Sequence, residues 1–184
     1  MVWQAVKWSE PGQVLALLGL DPGLASEQTV QGYYQGLIRQ DLHSQAADYV
    51  AQALPRWEAV TWAARTVTRL ALSDAQAPGA TLRAVLQWIR DPGETRRRAA
   101  FAAAQSIEAT TPEYLLAMAA FYSGGSVAPE GCEPIQPPRD AAGRFCAGAV
   151  KLAVARSADL PKAYQVSFSL LDTLLELDAR EQDA

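Results

Sequence analysis

From residue 30 onward, apolar side chains return at every third and fourth position, and the pattern stops only at short breaks carrying proline or glycine. Val30, Tyr33, Tyr34, Leu37 and Ile38 fall at i, i+3, i+4, i+7 and i+8, which places them on one face of a helix. Leu42, Ala46, Tyr49, Val50, Ala53 and Leu54 repeat the spacing, with Asp41 as the expected N-cap. After Pro55, Val60, Ala63, Val67 and Leu70 form the inner stripe of a third helix, and Leu82, Val85, Leu86 and Ile89 mark a fourth beyond the loop SDAQAPGA. Residues 94–107 make an alanine-rich fifth. The stretch TTPEYLLAMAAFY makes a sixth, with Thr111 as N-cap, Pro112 in first position and Glu113 in the first turn. That helix is apolar or small on nearly all sides after Tyr114, the composition of a buried helix. Residues 141–156 form a small-residue helix, and Phe168, Leu171, Leu174 and Leu175 line the last one.

One period throughout predicts an all-α fold. About eight helices joined by short links imply antiparallel hairpins, arranged as a compact bundle or an irregular stack like a helical-repeat array. No residue signature recurs at the repeat length such arrays require. Residues 1–24 read as an irregular N-terminal arm, in which WQAVKW is a short strand or extended segment and PGQVLALLGL a short helix. Residues 25–180 read as a single helical domain and 181–184 as a frayed acidic tail. A chain of 184 residues is long enough to bury a core without staples.

Several chemistries lack their parts. The formal charge of −4 argues against nucleic acid, whose binding is driven by basic surface. The N-terminus does not read as a secretory leader, and no apolar run reaches the ~20 residues that span a bilayer. These features place the chain in the cytoplasm, without membrane insertion. Cys132 and Cys146 stand outside any Cys-x-x-Cys spacing, so no structural metal is expected; the expectation is two reduced thiols, with a disulfide as the alternative. His43, the single histidine, reads as a surface residue, since neighbours on a helix do not face each other and Asp41, His43 and Ser44 form no triad. No phosphate-binding or dinucleotide-binding glycine motif is present. No catalytic residue and no cofactor is assigned.

Two features remain. On the third helix Glu58, Trp62, Arg65 and Arg69 share one side at spacings of four, three and four. Trp62 is either stacked by Arg65 within the fold or an exposed anchor for a partner, as tryptophan and arginine are enriched at binding hot spots. The loop at 123–138, SGGSVAPEGCEPIQPP, interrupts the helices. Gly124 and Gly125 can take positive φ and end a helix, and Ser123, Gly124, Gly125, Ser126 and Pro129 are candidate binding residues through backbone NH groups or a stiff proline surface. A plain packed crossover is the structural alternative. The triplet Arg96, Arg97, Arg98 fans over about 200° of helix, so it reads as a solvated face with one arginine paired to a carboxylate, or as a surface for an acidic partner.

The segments PRWEAVTWAAR, AAFYSGGSVAP and AGAVKLAVAR, in this order, resemble an uncharacterised bacterial domain family across residues 40–157. Trp57, Thr61 and Glu130 depart from its pattern, which has a charged residue, a second tryptophan and a second proline there. Members are sometimes associated with type VI secretion gene clusters. The resemblance implies an accessory or adaptor role, so a non-catalytic helical adaptor binding another protein is the leading expectation. The alternative is a small-ligand protein or atypical enzyme with its site at Glu58, Arg65 and the 123–138 loop.

Overall fold

A computed structural model of the chain describes residues 3, 6–25, 28–71 and 79–182. Among them the fold is all-α, with nine helices and no strand: α1 (Pro11–Leu18), α2 (Val30–Arg39), α3 (His43–Ala53), α4 (Arg56–Ala71), α5 (Ala80–Arg90), α6 (Glu94–Ala104), α7 (Pro112–Tyr122), α8 (Ala141–Ala155) and α9 (Leu160–Gln182). A 3-10 turn, Pro22–Ala25, follows α1. The expected loop at 73–80 falls largely outside the described residues.

Local chemistry sets several of the helix ends. Thr111 Oγ1 accepts from Tyr114 N at 3.1 Å and Pro112 opens α7, as the sequence predicts. Thr29 caps α2 in the same way, accepting from Gly32 N at 2.9 Å. Asp41 does not cap α3: that position belongs to Leu42. Asp41 instead has φ of 55°, and the amides of Asp41 and Leu42 donate to Ile38 O and Leu37 O. It closes the C-terminus of α2 in the left-handed conformation that aspartate tolerates better than most residues. A link this short needs its residue for the helix that is ending.

The core forms around α4, α7 and α8. Leu116 to Phe121 of α7 are all buried, so this stretch of the helix has no solvent face. Helix α8 lies on it with small residues. A β-carbon on Gly143 would stand 2.5 Å from the Gln52 side chain, so glycine there lets α8 approach α3. Gln52 is itself buried and donates from Nε2 to Asp140 O at 2.8 Å. Helices α5, α6, α7 and α8 pack in sequence, but α8 also packs on α3 and α4, and α9 on α4. Contacts between elements so far apart in sequence make a bundle rather than a stack, in which each unit meets only its neighbours.

The N-terminal segment, expected as an arm, packs into this body. Val14 and Leu15 of α1 are fully buried, Trp3 is buried, and Trp8 Nε1 donates to Gln52 O at 2.9 Å. At the other end α9 continues to Gln182, so the tail expected from 181 is still helical at its first two residues; residues 183 and 184 lie outside the described set.

Candidate functional site

The 123–138 loop is held from beneath by two arginines of the triplet. Arg97, only 4% exposed, points under the loop rather than into solvent. Its guanidinium donates to Phe121 O and, from Nη2, to Ser126 O at 2.7 Å. Its Nε and Nη2 also meet Glu94 Oε2 and Oε1, each at 2.8 Å, and its charge lies 4.6 Å from the centre of the Phe121 ring. Arg98 Nη2 donates to Ser126 O and Ala128 O at 3.3 and 3.2 Å, and Arg56 Nη1 to Ser123 O at 2.9 Å. Hydrogen bonds from Arg97 hold the Glu94 carboxyl down to about 2, against a smaller opposing effect of burial.

Within the loop, Ser126 Oγ accepts from the amides of Ala128 and Ile135 at 3.1 and 3.0 Å, and Val127 N donates to Ile135 O at 2.9 Å. These bonds pinch the loop at its neck. Gly125 takes φ of 62°, and a β-carbon there would lie 2.8 Å from Glu94 Oε2 and 2.9 Å from Arg97 Nη2. The space beside Gly125 is thus filled by the chain's own ion pair. Pro129 and residues 130–136 are exposed, and Ile135 stands out at 58%.

The arginine triplet is therefore not a plain solvated face. Arg97 is buried, Arg98 grips the loop, and Arg96 pairs with Asp91 at 2.8 Å. The sequence shows three arginines in a row but not the carbonyls that meet them, which come from 24 to 30 residues away.

Trp62 has no solvent exposure. Its Nε1 donates to Ser167 O at 2.9 Å, and Thr66 Oγ1 shares a 3.0 Å hydrogen bond with Ser167 Oγ, so this face of α4 is fastened to α9. Among the described residues no cation stacks on Trp62, and a buried indole offers a partner no anchor. Glu58 and Arg65 are half-buried and Arg69 is exposed. These residues do not join the loop in one surface. The loop is tied to α4 through Arg56, which lies about 160° around the helix from Glu58 and about 180° from Arg65. Ser123, Gly124, Gly125, Ser126 and Pro129 form one cluster; Glu58, Trp62, Arg65 and Arg69 form another, on the far side.

A hollow outside both groups carries no local sequence mark. It lies where the N-terminal segment, α2 and α9 meet, has a volume of about 510 Å³, and is lined by Trp3, Tyr34, His43, Phe168 and Asp172 among others. His43, expected at the surface, is 15% exposed, with its ring 5.7 Å from Tyr164 in a stacked arrangement. Its only sequence signal is that Tyr164 and Phe168 share a helix face four residues apart; nothing in the sequence ties that face to residue 43.

Among the described residues no group of three or more His, Cys, Asp or Glu side chains is placed to hold a metal, and no helix is long and apolar enough to cross a membrane. Cys132 and Cys146 are both free thiols, the first exposed and the second buried. The model of a family of unknown function (DUF6931) matches residues 33–172, and the chain belongs to that family. No curated protein and no solved structure matches it.

Proposed function

We propose that this family member is a non-catalytic cytoplasmic adaptor that presents its 123–138 loop to another protein, as an accessory to a bacterial type VI secretion system. The observation that carries the reading is the anchoring of the loop: a buried, ion-paired Arg97 fixes its neck while Ile135 stays 58% exposed. Long ordered loops of this length are uncommon without a function. A loop already fixed in one conformation loses little freedom on binding, which leaves more of the contact energy for affinity. Exposed Glu133 stands two residues from Ile135, while Glu130 lies 3.8 Å from Arg98, so the complementary surface is an apolar pocket with a basic group at its rim. The secretion link rests on the family resemblance of the three sequence segments.

Affinity purification from the native cell, followed by a binding titration with the recovered partner, tests the reading. Ile135→Glu is expected to weaken binding at least tenfold without changing the melting temperature, because the side chain touches solvent rather than core. Equal binding by the two proteins would remove the loop as the docking surface. A partner from outside the secretion machinery would remove that assignment alone.

A further inference from the structure

Where the N-terminal segment, α2 and α9 meet, aromatic rings from three parts of the chain come together. Trp3 and Tyr34 lie 4.8 Å apart at their ring centres, and the edge of Phe168 meets Tyr34 at 5.8 Å. The hollow of about 510 Å³ opens over these rings, within the size range of small-ligand pockets. Its lining combines the aromatic rings with polar and charged side chains.

Tyr34 is 6% exposed and lines the hollow. Its hydroxyl forms no hydrogen bond with a described residue and is not closed off from solvent as that of Tyr49 is, so it is free to accept from a ligand. Asp172 also lines the hollow and acts electrostatically on the Tyr34 phenol. Its own carboxyl is pushed up from the usual range by partial burial and by the nearby Glu176, and it forms no ion pair with a described residue. Asp41 and Arg39 complete the charged rim, with His43 between them and Phe168. Two carboxylates against one arginine leave the rim negative, and the ring faces below it are electron-rich. Both properties select a cation, and neither suits an anion.

We propose that this hollow binds a small organic cation, an alkylammonium group, with its charge between Asp172 and the Tyr34 hydroxyl oxygen and its alkyl part on the Trp3 and Phe168 rings. An ammonium group has N–H donors enough for both oxygens, and its charge complements the carboxylate. The site is independent of the loop reading, because it shares no residue with the 123–138 segment.

Isothermal titration of the full chain with n-butylammonium chloride tests this, with n-butanol as the uncharged isostere and sodium chloride holding ionic strength constant. Saturable binding of butylammonium is expected, about tenfold tighter than that of butanol, as a desolvated cation–ring contact with a nearby carboxylate would give. Asp172→Asn is expected to remove that tenfold preference, and Tyr34→Phe to weaken binding of the cation while leaving butanol unchanged. Melting curves of both variants confirm that they fold. Equal binding of butanol and butylammonium, no saturable binding at millimolar concentration, or full affinity in Asp172→Asn would each overturn the proposal. Nα-acetyl-lysine methylamide distinguishes the source of the cation: binding as tight as that of butylammonium assigns the hollow to a lysine side chain, and weaker binding assigns it to a free amine.

Discussion

Arg97 and Glu94 face each other one helical turn apart on α6 and share two hydrogen bonds of 2.8 Å each. The pair does more than staple a helix end. Arg97 is buried while the Glu94 side chain is 53% exposed, so the carboxylate neutralises a charge that the loop keeps from water. Replacing Arg97 with alanine removes the donors to Phe121 O and Ser126 O and is expected to cost about 2–4 kcal/mol. Arg97→Lys keeps the charge but not the planar fork, and is expected to recover less than half of the loss. Urea unfolding measures both; a lysine variant as stable as the wild type would show that the charge alone suffices.

Gly125 touches the same pair. A side chain there meets both the left-handed backbone, with φ of 62°, and the 2.8 Å approach of Glu94 Oε2. Gly125→Val is expected to lower stability by about 2–3 kcal/mol, combining a strained conformation with the overpacking cost. The neighbouring Gly124 has open space where a β-carbon would go, so Gly124→Ala is expected to change the melting temperature little. Equal sensitivity at the two glycines in thermal melts would contradict the clamp geometry.

The clamp has a pH signature. Hydrogen bonds from Arg97 hold the Glu94 carboxyl down to about 2, from its ordinary value of 4.5. A carboxyl whose folded value is depressed contributes stability that is fully present above 4.5 and is lost as the pH falls toward 2. Glu94→Gln is therefore expected to be less stable than the wild type at pH 7. The difference should shrink between pH 4.5 and 2, and solvent screening of the exposed carboxylate keeps it small. Melting temperatures of the two proteins across this range measure it. A gap that stays constant down to pH 2 would mean that the loss comes from packing rather than from charge.

Trp62 is fixed to α9 through Ser167 O. Trp62→Ala is expected to cost about 3–5 kcal/mol, as for other fully buried aromatic truncations, and Trp62→Phe about 1–2 kcal/mol, mainly from the lost indole donor and the smaller ring. Chemical unfolding separates the two. An alanine variant with unchanged stability would place the indole at the surface after all.

The helices were legible because each is written locally: a face spaced by three and four, a threonine before Pro112, a glycine after Leu18. Most of what the structure adds depends on partners far along the chain. The one face that holds Glu58, Trp62, Arg65 and Arg69 follows from spacing alone, but the burial of Trp62 within it depends on Ser167, 105 residues away. Arg97 looks the same as Arg96 in the sequence, and only the return of Phe121 and Ser126 over α6 separates the buried one from the exposed one. The hollow at Tyr34 and Asp172 assembles residues from both ends of the chain, so no local pattern marks it. Asp41 departs from the cap its sequence position predicts for a local reason. A residue between two helices can serve either, and the left-handed turn closing α2 took precedence over the cap of α3.

The two cysteines provide a probe that reads the loop and the core separately. Cys132 is exposed within the loop, whereas Cys146 is fully buried on the inner side of α8, where burial pushes its thiol well above the usual range. The thiolate is the reacting form, so Cys146 is both inaccessible and protonated in the folded protein. A disulfide-exchange reagent is expected to modify one thiol promptly at pH 8 and the second only on unfolding, at a rate that follows the denaturant dependence of global opening. Because the clamp ties the neck of the loop to α6 and not to α8, Arg97→Ala is expected to leave the Cys132 rate nearly unchanged. It should speed Cys146 only as far as it lowers overall stability. Prompt reaction of both thiols in the wild type would contradict the packing of α8 against α3, α4 and α7. Selective acceleration of Cys146 in Arg97→Ala, beyond its loss of stability, would mean that the loop itself seals that part of the core.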